Sequence, residues 1–170
     1  NRKIVIASTP TIKGVSRIDM EYDASDQRRY WVPCPHCGEF QILTWDQVRW
    51  PKPNGVHQPE KAHYECRHCR KQWDDADKLA AVRRGEWRPS KKFAGIAGFH
   101  LNALYSPWRT WSDLVREFLE AKRTPETLQA FVNTTLGEVW EEADVVIDDG
   151  SLMSRRERYG PKVPMKAAVL

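Results

Sequence analysis

Cys34-Pro35-His36-Cys37-Gly38 and Cys66-Arg67-His68-Cys69-Arg70 decide how this chain is read. These two stretches hold all four of its cysteines, with one internal spacing, and residues 38–65 lie between them. A CxxC turn aims two thiolates at one ion while the amides of the turn donate to sulfur, and two such turns complete the tetrahedral four-sulfur set that zinc prefers. Four protein ligands leave no open position for water, so Cys34, Cys37, Cys66 and Cys69 are expected to hold a structural Zn2+. The separation exceeds the usual gap of about fifteen to twenty residues, and the proline-rich loop at residues 51–59 can absorb the excess. Strand-like residues flank each pair: Tyr30-Trp31-Val32 and Phe40-Gln41-Ile42-Leu43 around the first, His63-Tyr64 and Gln72-Trp73 around the second. That is the outline of a zinc ribbon over residues 29–74, a module too small for a core of its own.

Other readings of the same residues stand beside this one. Disulfide pairing belongs to secreted chains, which nothing here suggests, and a redox CxxC explains one pair at a time. His36, His57, His63 or His68 could replace a cysteine as ligand, although His36 and His68 lie inside the turns and should point outward. Arg67, Arg70 and Lys71 lie on or beside the second turn, near Tyr64 and Trp73, and such a mixture could grip phosphates and stack on bases. It could equally be a solvated rim over an aromatic mini-core of Trp31, Trp45 and Trp73.

Outward from the ribbon, Ile4-Val5-Ile6-Ala7 has the pattern of a central strand covered on both faces, broken at Ser8-Thr9-Pro10-Thr11 by the proline. Residues 13–26 are polar, with room for a helical turn or two. After the ribbon, Asp75 can cap a short helix ended by Gly85 in the left-handed conformation. Residues 94–105 read as a strand that should pack beside residues 1–12 in one sheet. Trp111, Leu114, Val115, Phe118 and Leu119 form the buried stripe of an amphipathic helix over residues 111–122. Thr124-Pro125 starts a second helix, striped by Leu128, Phe131, Val132 and Leu136 and stopped by Gly137, and the two should pack as an antiparallel pair. Residues 138–162 read as an acidic linker with a short helix at 152–159, and residues 163–170 as the start of another strand. Both ends look cut from something longer.

A chain of 170 residues with 41% hydrophobic content can bury a core. No apolar run approaches the roughly 18 residues of a membrane span, and the first residues lack the basic, apolar and small-residue succession of a signal peptide. The net charge is +4, and residues 34–92, with twelve basic and eight acidic side chains, carry an excess that favours anionic partners, nucleic acid first. No GxxxxGK[ST] loop occurs, so the chain by itself should not hydrolyse ATP. Glu141, Glu142, Asp144, Asp148 and Asp149 suit a solvated linker better than a two-metal nuclease centre, leaving no catalytic residue to name.

Four stretches, in order, resemble the large terminase subunits of lambda-like tailed phages. They are Lys3-Ile4-Val5-Ile6-Ala7-Ser8-Thr9-Pro10-Thr11, Gln27-Arg28-Arg29-Tyr30-Trp31-Val32-Pro33-Cys34-Pro35-His36-Cys37-Gly38, Gly98-Phe99-His100-Leu101-Asn102-Ala103-Leu104-Tyr105-Ser106-Pro107-Trp108, and Phe131-Val132-Asn133-Thr134-Thr135-Leu136-Gly137-Glu138-Val139-Trp140-Glu141-Glu142. The resemblance implies an α+β chain: residues 1–28 would be the C-terminal edge of an ATPase core, the ribbon an insert, residues 75–137 a return strand and helical pair, and residues 138–170 the bridge into a nuclease domain. It implies that Ser8, Thr9, Pro10 and Thr11 resemble the motif that couples nucleotide state to DNA grip, and that the chain stops short of the nuclease's first metal-binding aspartate. It further implies ATP and Mg2+ as cofactors of the intact parent, which would be an ATPase and endonuclease. Its partners would be double-stranded DNA, a small terminase subunit and a portal, in the host cytoplasm. The competing expectation is a free-standing zinc-ribbon adaptor for nucleic acid or protein, without enzymatic activity.

Overall fold

Alternation along Arg29-Tyr30-Trp31-Val32 builds strand β1 (Arg28–Pro33), the centre of the first sheet in the computed structural model, which describes residues 3–141. Strand β2 (Phe40–Gln41) pairs antiparallel with its end and β6 (Glu86–Arg88) antiparallel with its middle, while β7 (Phe99–His100) runs parallel to its start. The second sheet is an antiparallel meander of β3 (Val48–Arg49), β4 (His63–Glu65) and β5 (Gln72–Trp73). Four helices accompany them: α1 (Arg17–Asp23), α2 (Asp75–Arg83), α3 (Trp111–Ala121) and α4 (Pro125–Ala130), the last continuing as a π-helical turn, Phe131–Leu136. The class is α+β.

Helix α3 starts where Thr110 and Asp113 exchange hydrogen bonds in a capping box, and α4 where the Thr124 hydroxyl accepts from the Thr127 amide. Gly137, at φ 66°, stops the π turn in the left-handed region. Trp111, Leu114 and Val115 are fully buried on the stripe read from the spacing, and Phe118 packs on Phe131 with ring centroids 5.5 Å apart.

The aromatics of residues 29–74 and the helices share one core. Tyr64 stacks on Trp111 at 5.3 Å and packs on Trp73 at 5.2 Å, and the Tyr105 hydroxyl ties β1 to the segment after β2 by donating to Tyr30 O and accepting from the Leu43 amide. Lys78 on α2 is buried to 1% exposure, its ammonium donating to Arg109 O above the Trp111 ring. It lies beside the start of α3, where the Asp75 carboxylate accepts from the Trp111 amide.

Three expectations fail. Residues 4–7 form no strand, and Ile4 and Val5 are 71% and 90% exposed, because a doubly covered strand needs neighbours that no described residue supplies. The strand expected at 94–105 shrinks to β7, pairs with β1 and not with residues 1–12, and gives way to a 3-10 turn, Ala103–Tyr105. Buried Asp26 explains this: its carboxylate accepts from the Gly98 amide, its amide donates to Ile96 O and its carbonyl accepts from Ser90 and Lys91, so residues 90–98 wrap around it as a loop. Helix α2 is capped by Asp74, one residue before the expected Asp75, and Gly85 is not left-handed. A Cβ at Gly85 would lie 2.5 Å from the Tyr30 ring and 2.9 Å from Trp31 O, so close approach is what requires glycine there. The helix expected at 152–159 and the strand at 163–170 lie outside the described residues.

Candidate metal centre

The two cysteine turns are copies of one another. Hairpin β1–β2 and hairpin β4–β5 each close a six-residue connection, residues 34–39 and 66–71. In the first, the Cys34 amide donates to Glu39 O and the Gly38 amide to Cys34 O, both at 2.9 Å; in the second, Cys66 donates to Lys71 O at 2.9 Å and Arg70 to Cys66 O at 3.0 Å. The fifth position of each turn is left-handed, Gly38 at φ 79° and Arg70 at φ 62°. Glycine adopts that conformation freely, whereas Arg70 does so at a cost of about 1–2 kcal/mol.

This repetition brings the sulfurs together. Cys34 Sγ lies 3.8 Å from Cys69 Sγ and Cys37 Sγ 3.9 Å from Cys66 Sγ, and all four lie within 4.8 Å of one another. Thiolates about 2.3 Å from a tetrahedral zinc are about 3.8 Å apart, whereas a disulfide needs about 2.05 Å. The cysteines are unbridged, so the separations suit a shared ion and not a crosslink. The amides of His36 and His68 point at Cys34 and Cys66 Sγ, each at 3.4 Å, and Gln41 Nε2 at Cys66 Sγ at 3.4 Å. Burial pushes the Cys34 thiol up to about 12. Burial opposes ionisation of Cys66 too, but the amides of Cys69 and His68 overcome it and bring that thiol to about 6. A set that cannot ionise together unaided suits a thiophilic divalent cation, which neutralises the sulfurs it gathers.

No histidine joins the group among the described residues. His36 turns to Gln72 O and Asp77, His63 to Lys61 O and His57 to Trp50, while His68 is exposed. The basic residues of the second turn are partly spoken for. Arg70 forms an ion pair with Glu65 at 2.9 Å, off line for a hydrogen bond, and Arg67 lies 3.9 Å from Asp46 and donates to Thr44. Lys71 is exposed without an ion pair among the described residues. Trp73 is fully buried and Trp45 packs on Phe118 and Phe131, as the mini-core reading expects; Trp31 is half-buried beneath the Arg88 guanidinium.

Ser8, Thr9, Pro10 and Thr11 run as irregular, mostly exposed chain. The first three line a cavity of about 130 Å3 with Phe99, His100 and Leu101, next to a larger one of about 620 Å3 around Arg29, Tyr22 and Glu138. Thr11 is held firmly: its amide donates to Ser16 Oγ, and its carbonyl accepts from Asn133 Nδ2 at 2.9 Å and the Trp140 amide at 2.8 Å. Asn133, 8% exposed, sends its other N–H to Glu138 O. Sequence reading missed Asn133, because nothing local marks a partner 122 positions away. It also missed the work of His100, whose only signal is polarity inside an apolar run. His100 Nδ1 accepts from Arg29 and Nε2 donates to Gly137 O, and burial, then the Arg29 charge, hold its pKa down to about 4.

Residues 1–87 match the model of the phage terminase large subunit gpA ATPase domain, and residues 96–170 that of the terminase large subunit gpA endonuclease domain. The chain is 34% identical over 193 residues to the terminase large subunit of Enterobacteria phage P21, an alignment covering 99% of this chain and 29% of that protein. It is 30% identical over 193 residues to the terminase large subunit of Escherichia phage lambda, covering 99% of this chain and 30% of that one. The chain therefore spans under a third of the length of these relatives. No solved structure matches. With more than half of its residues matched by the first of these models and nearly all of them aligned to two such subunits, this chain belongs to the phage terminase large subunit gpA family.

Proposed function

We propose that this chain is the segment joining ATPase to endonuclease in a viral DNA-packaging motor, and that Cys34, Cys37, Cys66 and Cys69 hold a structural Zn2+ within it. The observation that carries the metal reading is the meeting of four unbridged sulfurs, all within 4.8 Å, at the tips of two hairpins with equivalent turns. Bound zinc would supply charge neutralisation and a crosslink between the two sheets, and a closed four-thiolate set gives it no position for water. The protein's own part is to preset the sulfurs: the hairpin turns aim them, and amides and Gln41 donate to them.

In the whole protein, ATP and Mg2+ would act outside this segment, which contains no phosphate-cradling GxxxxGK[ST] loop. Ser8, Thr9, Pro10 and Thr11 would couple nucleotide state to DNA grip. The hydrogen bonds from Asn133 and Trp140 to Thr11 O support this, because they join that segment to residues that match the endonuclease. The working partners would be double-stranded DNA, a small terminase subunit and a portal, in the cytoplasm of the infected host. No helix among the described residues is long and apolar enough to cross a membrane.

Elemental analysis of the purified chain tests the metal. One zinc per chain is expected, with thiol reagents blocked until a chelator is added and intense tetrahedral bands after cobalt exchange. A folded, metal-free chain with four reactive thiols would end this reading. In the full-length protein, Cys66→Ser should abolish DNA packaging.

A further inference from the structure

The loop between the cysteine pairs is pinned to α3. The Trp50 ring packs on Phe118 with centroids 5.9 Å apart, and its indole Nε1 donates to His57 Nδ1 at 2.8 Å. An indole N–H is only a donor, so His57 Nδ1 is the acceptor and the imidazole proton sits on Nε2. That Nε2–H stands 3.1 Å from Lys122 Nζ, at the C-terminal end of α3, and a charged ammonium also has only donors. Two donors converge on one point with no acceptor between them.

Lys52 strengthens the positive field at that point. Burial first, then the charges of Lys122 and Lys52, hold His57 below the ordinary imidazole range, which keeps Nδ1 free to accept from Trp50. Lys52 and Lys122 are exposed and form no ion pair among the described residues, whereas at the cysteine turn Arg67 and Arg70 lie against Asp46 and Glu65 and Lys71 alone of the three is unpaired. Cations already facing carboxylates release fewer counterions on meeting a polyanion than unpaired ones do.

We propose that Lys52, His57 and Lys122 form a contact surface for the phosphate backbone of duplex DNA, one phosphate oxygen accepting from both His57 Nε2 and Lys122 Nζ. Open geometry favours a polymer over a small phosphate ligand. These residues line neither cavity described above, and a nucleotide held in a pocket buries most of its surface, whereas a backbone needs only successive shallow contacts. The proposal rests on the reading of the chain as part of a DNA motor and moves the DNA-facing surface from the cysteine turn to the loop and the end of α3.

The test titrates the full chain into a labelled duplex of arbitrary sequence over a salt series, with Lys52→Gln, Lys122→Gln and, as a control at the cysteine turn, Arg70→Gln. Each lysine variant should weaken binding about three- to ten-fold at moderate salt and reduce the slope of log K against log salt by about 0.9, while Arg70→Gln changes neither. Inorganic phosphate and ATP, added as competitors at equal concentrations, should displace the duplex no better than their ionic strength accounts for. Lysine variants that bind like the parent, a loss confined to Arg70→Gln, or ATP binding that Lys122→Gln abolishes without any duplex binding would each overturn the proposal. Zinc content and thermal unfolding are read on the same samples. A zinc-loaded, folded chain without duplex affinity overturns this surface and leaves the metal reading standing. Lysine-dependent duplex binding by a zinc-free chain does the reverse.

Discussion

Replacing Asn133 by Asp changes one atom and should undo the clip that ties residues 11–13 to residues 138–141. Asn133 Nδ2 donates to Thr11 O at 2.9 Å and Glu138 O at 2.8 Å, and the residue is 8% exposed. Aspartate removes both donors and sets a carboxylate oxygen against two carbonyl oxygens. Two lost bonds cost about 1 kcal/mol each, and Glu138 O, with no second partner among the described residues, adds about 1 kcal/mol; Thr11 O keeps the Trp140 amide. With the repulsion of a poorly solvated carboxylate, Asn133→Asp should cost about 3–4 kcal/mol at neutral pH. Asn133→Leu, which loses the same bonds and leaves Glu138 O equally unpartnered but adds no charge, should cost about 3 kcal/mol. Burial among carbonyls should raise the new carboxyl's pKa above its unfolded value. Its penalty is then greatest above the folded pKa, and acidification should restore part of the stability as the protonated acid regains one donor. Urea unfolding of the zinc-loaded variants over a pH series measures this. Hydrogen exchange adds a local readout, since the amides of Lys13 and Trp140, which bond Trp140 O and Thr11 O, should lose protection first. A cost below about 0.5 kcal/mol, or equal costs for the Asp and Leu variants at every pH, would refute the assignment.

Gly85→Ala should destabilise by about 1–3 kcal/mol in thermal or urea unfolding. The new Cβ meets the Tyr30 ring at 2.5 Å, and that ring cannot step aside, being packed on Trp87 and Tyr105 with its hydroxyl donating to Val82 O. His100 predicts a pH dependence of definite sign. Its folded pKa of about 4 lies below the unfolded value of about 6.5, so its contribution is complete above the unfolded value and is lost as pH falls from there toward 4. The slope should reach at most about 1.4 kcal/mol per pH unit, and His100→Gln should flatten it at constant zinc occupancy; an unchanged slope in urea midpoints would show that another group titrates.

The parts that local chemistry decides were readable from the sequence. Two equal CxxC spacings gave the sulfur cluster, the spacing of apolar residues gave α3, and Thr124-Pro125 gave the start of α4, since caps and periodicity act within a turn or two. What failed depends on distant partners. Ile4-Val5-Ile6 has a buried strand's composition, but a strand exists only where another chain segment offers its edge. Residues 94–105 looked continuous because Asp26, which folds residues 90–98 into a loop, is some seventy positions away in sequence. At Gly85 the residue type was a true signal with the wrong cause: it answers to the Tyr30 ring and not to a helix stop. His57 and Lys122 were unreadable as a pair, because tertiary packing, Trp50 on Phe118 within it, brings the loop to α3.

The boundary between the two family matches has a mechanical consequence. The ATPase match ends at residue 87 and the endonuclease match begins at residue 96, yet no structural boundary falls between them. Strand β1, on the ATPase side, pairs with β7, on the endonuclease side, and Tyr64 of β4 stacks on Trp111 of α3. Thr11 is hydrogen-bonded to Asn133 and Trp140 from the other end of the described chain. A displacement passed on at Thr11 therefore cannot be taken up by a loose joint at residues 88–95, because the β1–β7 pairing and the Tyr64–Trp111 stack span that joint. Close-packed interiors respond to strain by moving as a body or by switching between packings, not by yielding gradually. On the packaging-motor reading proposed above, motion at the nucleotide side would reach the nuclease side through this core, and a metal ion joining the hairpins that carry Tyr30 and Tyr64 would stiffen that path.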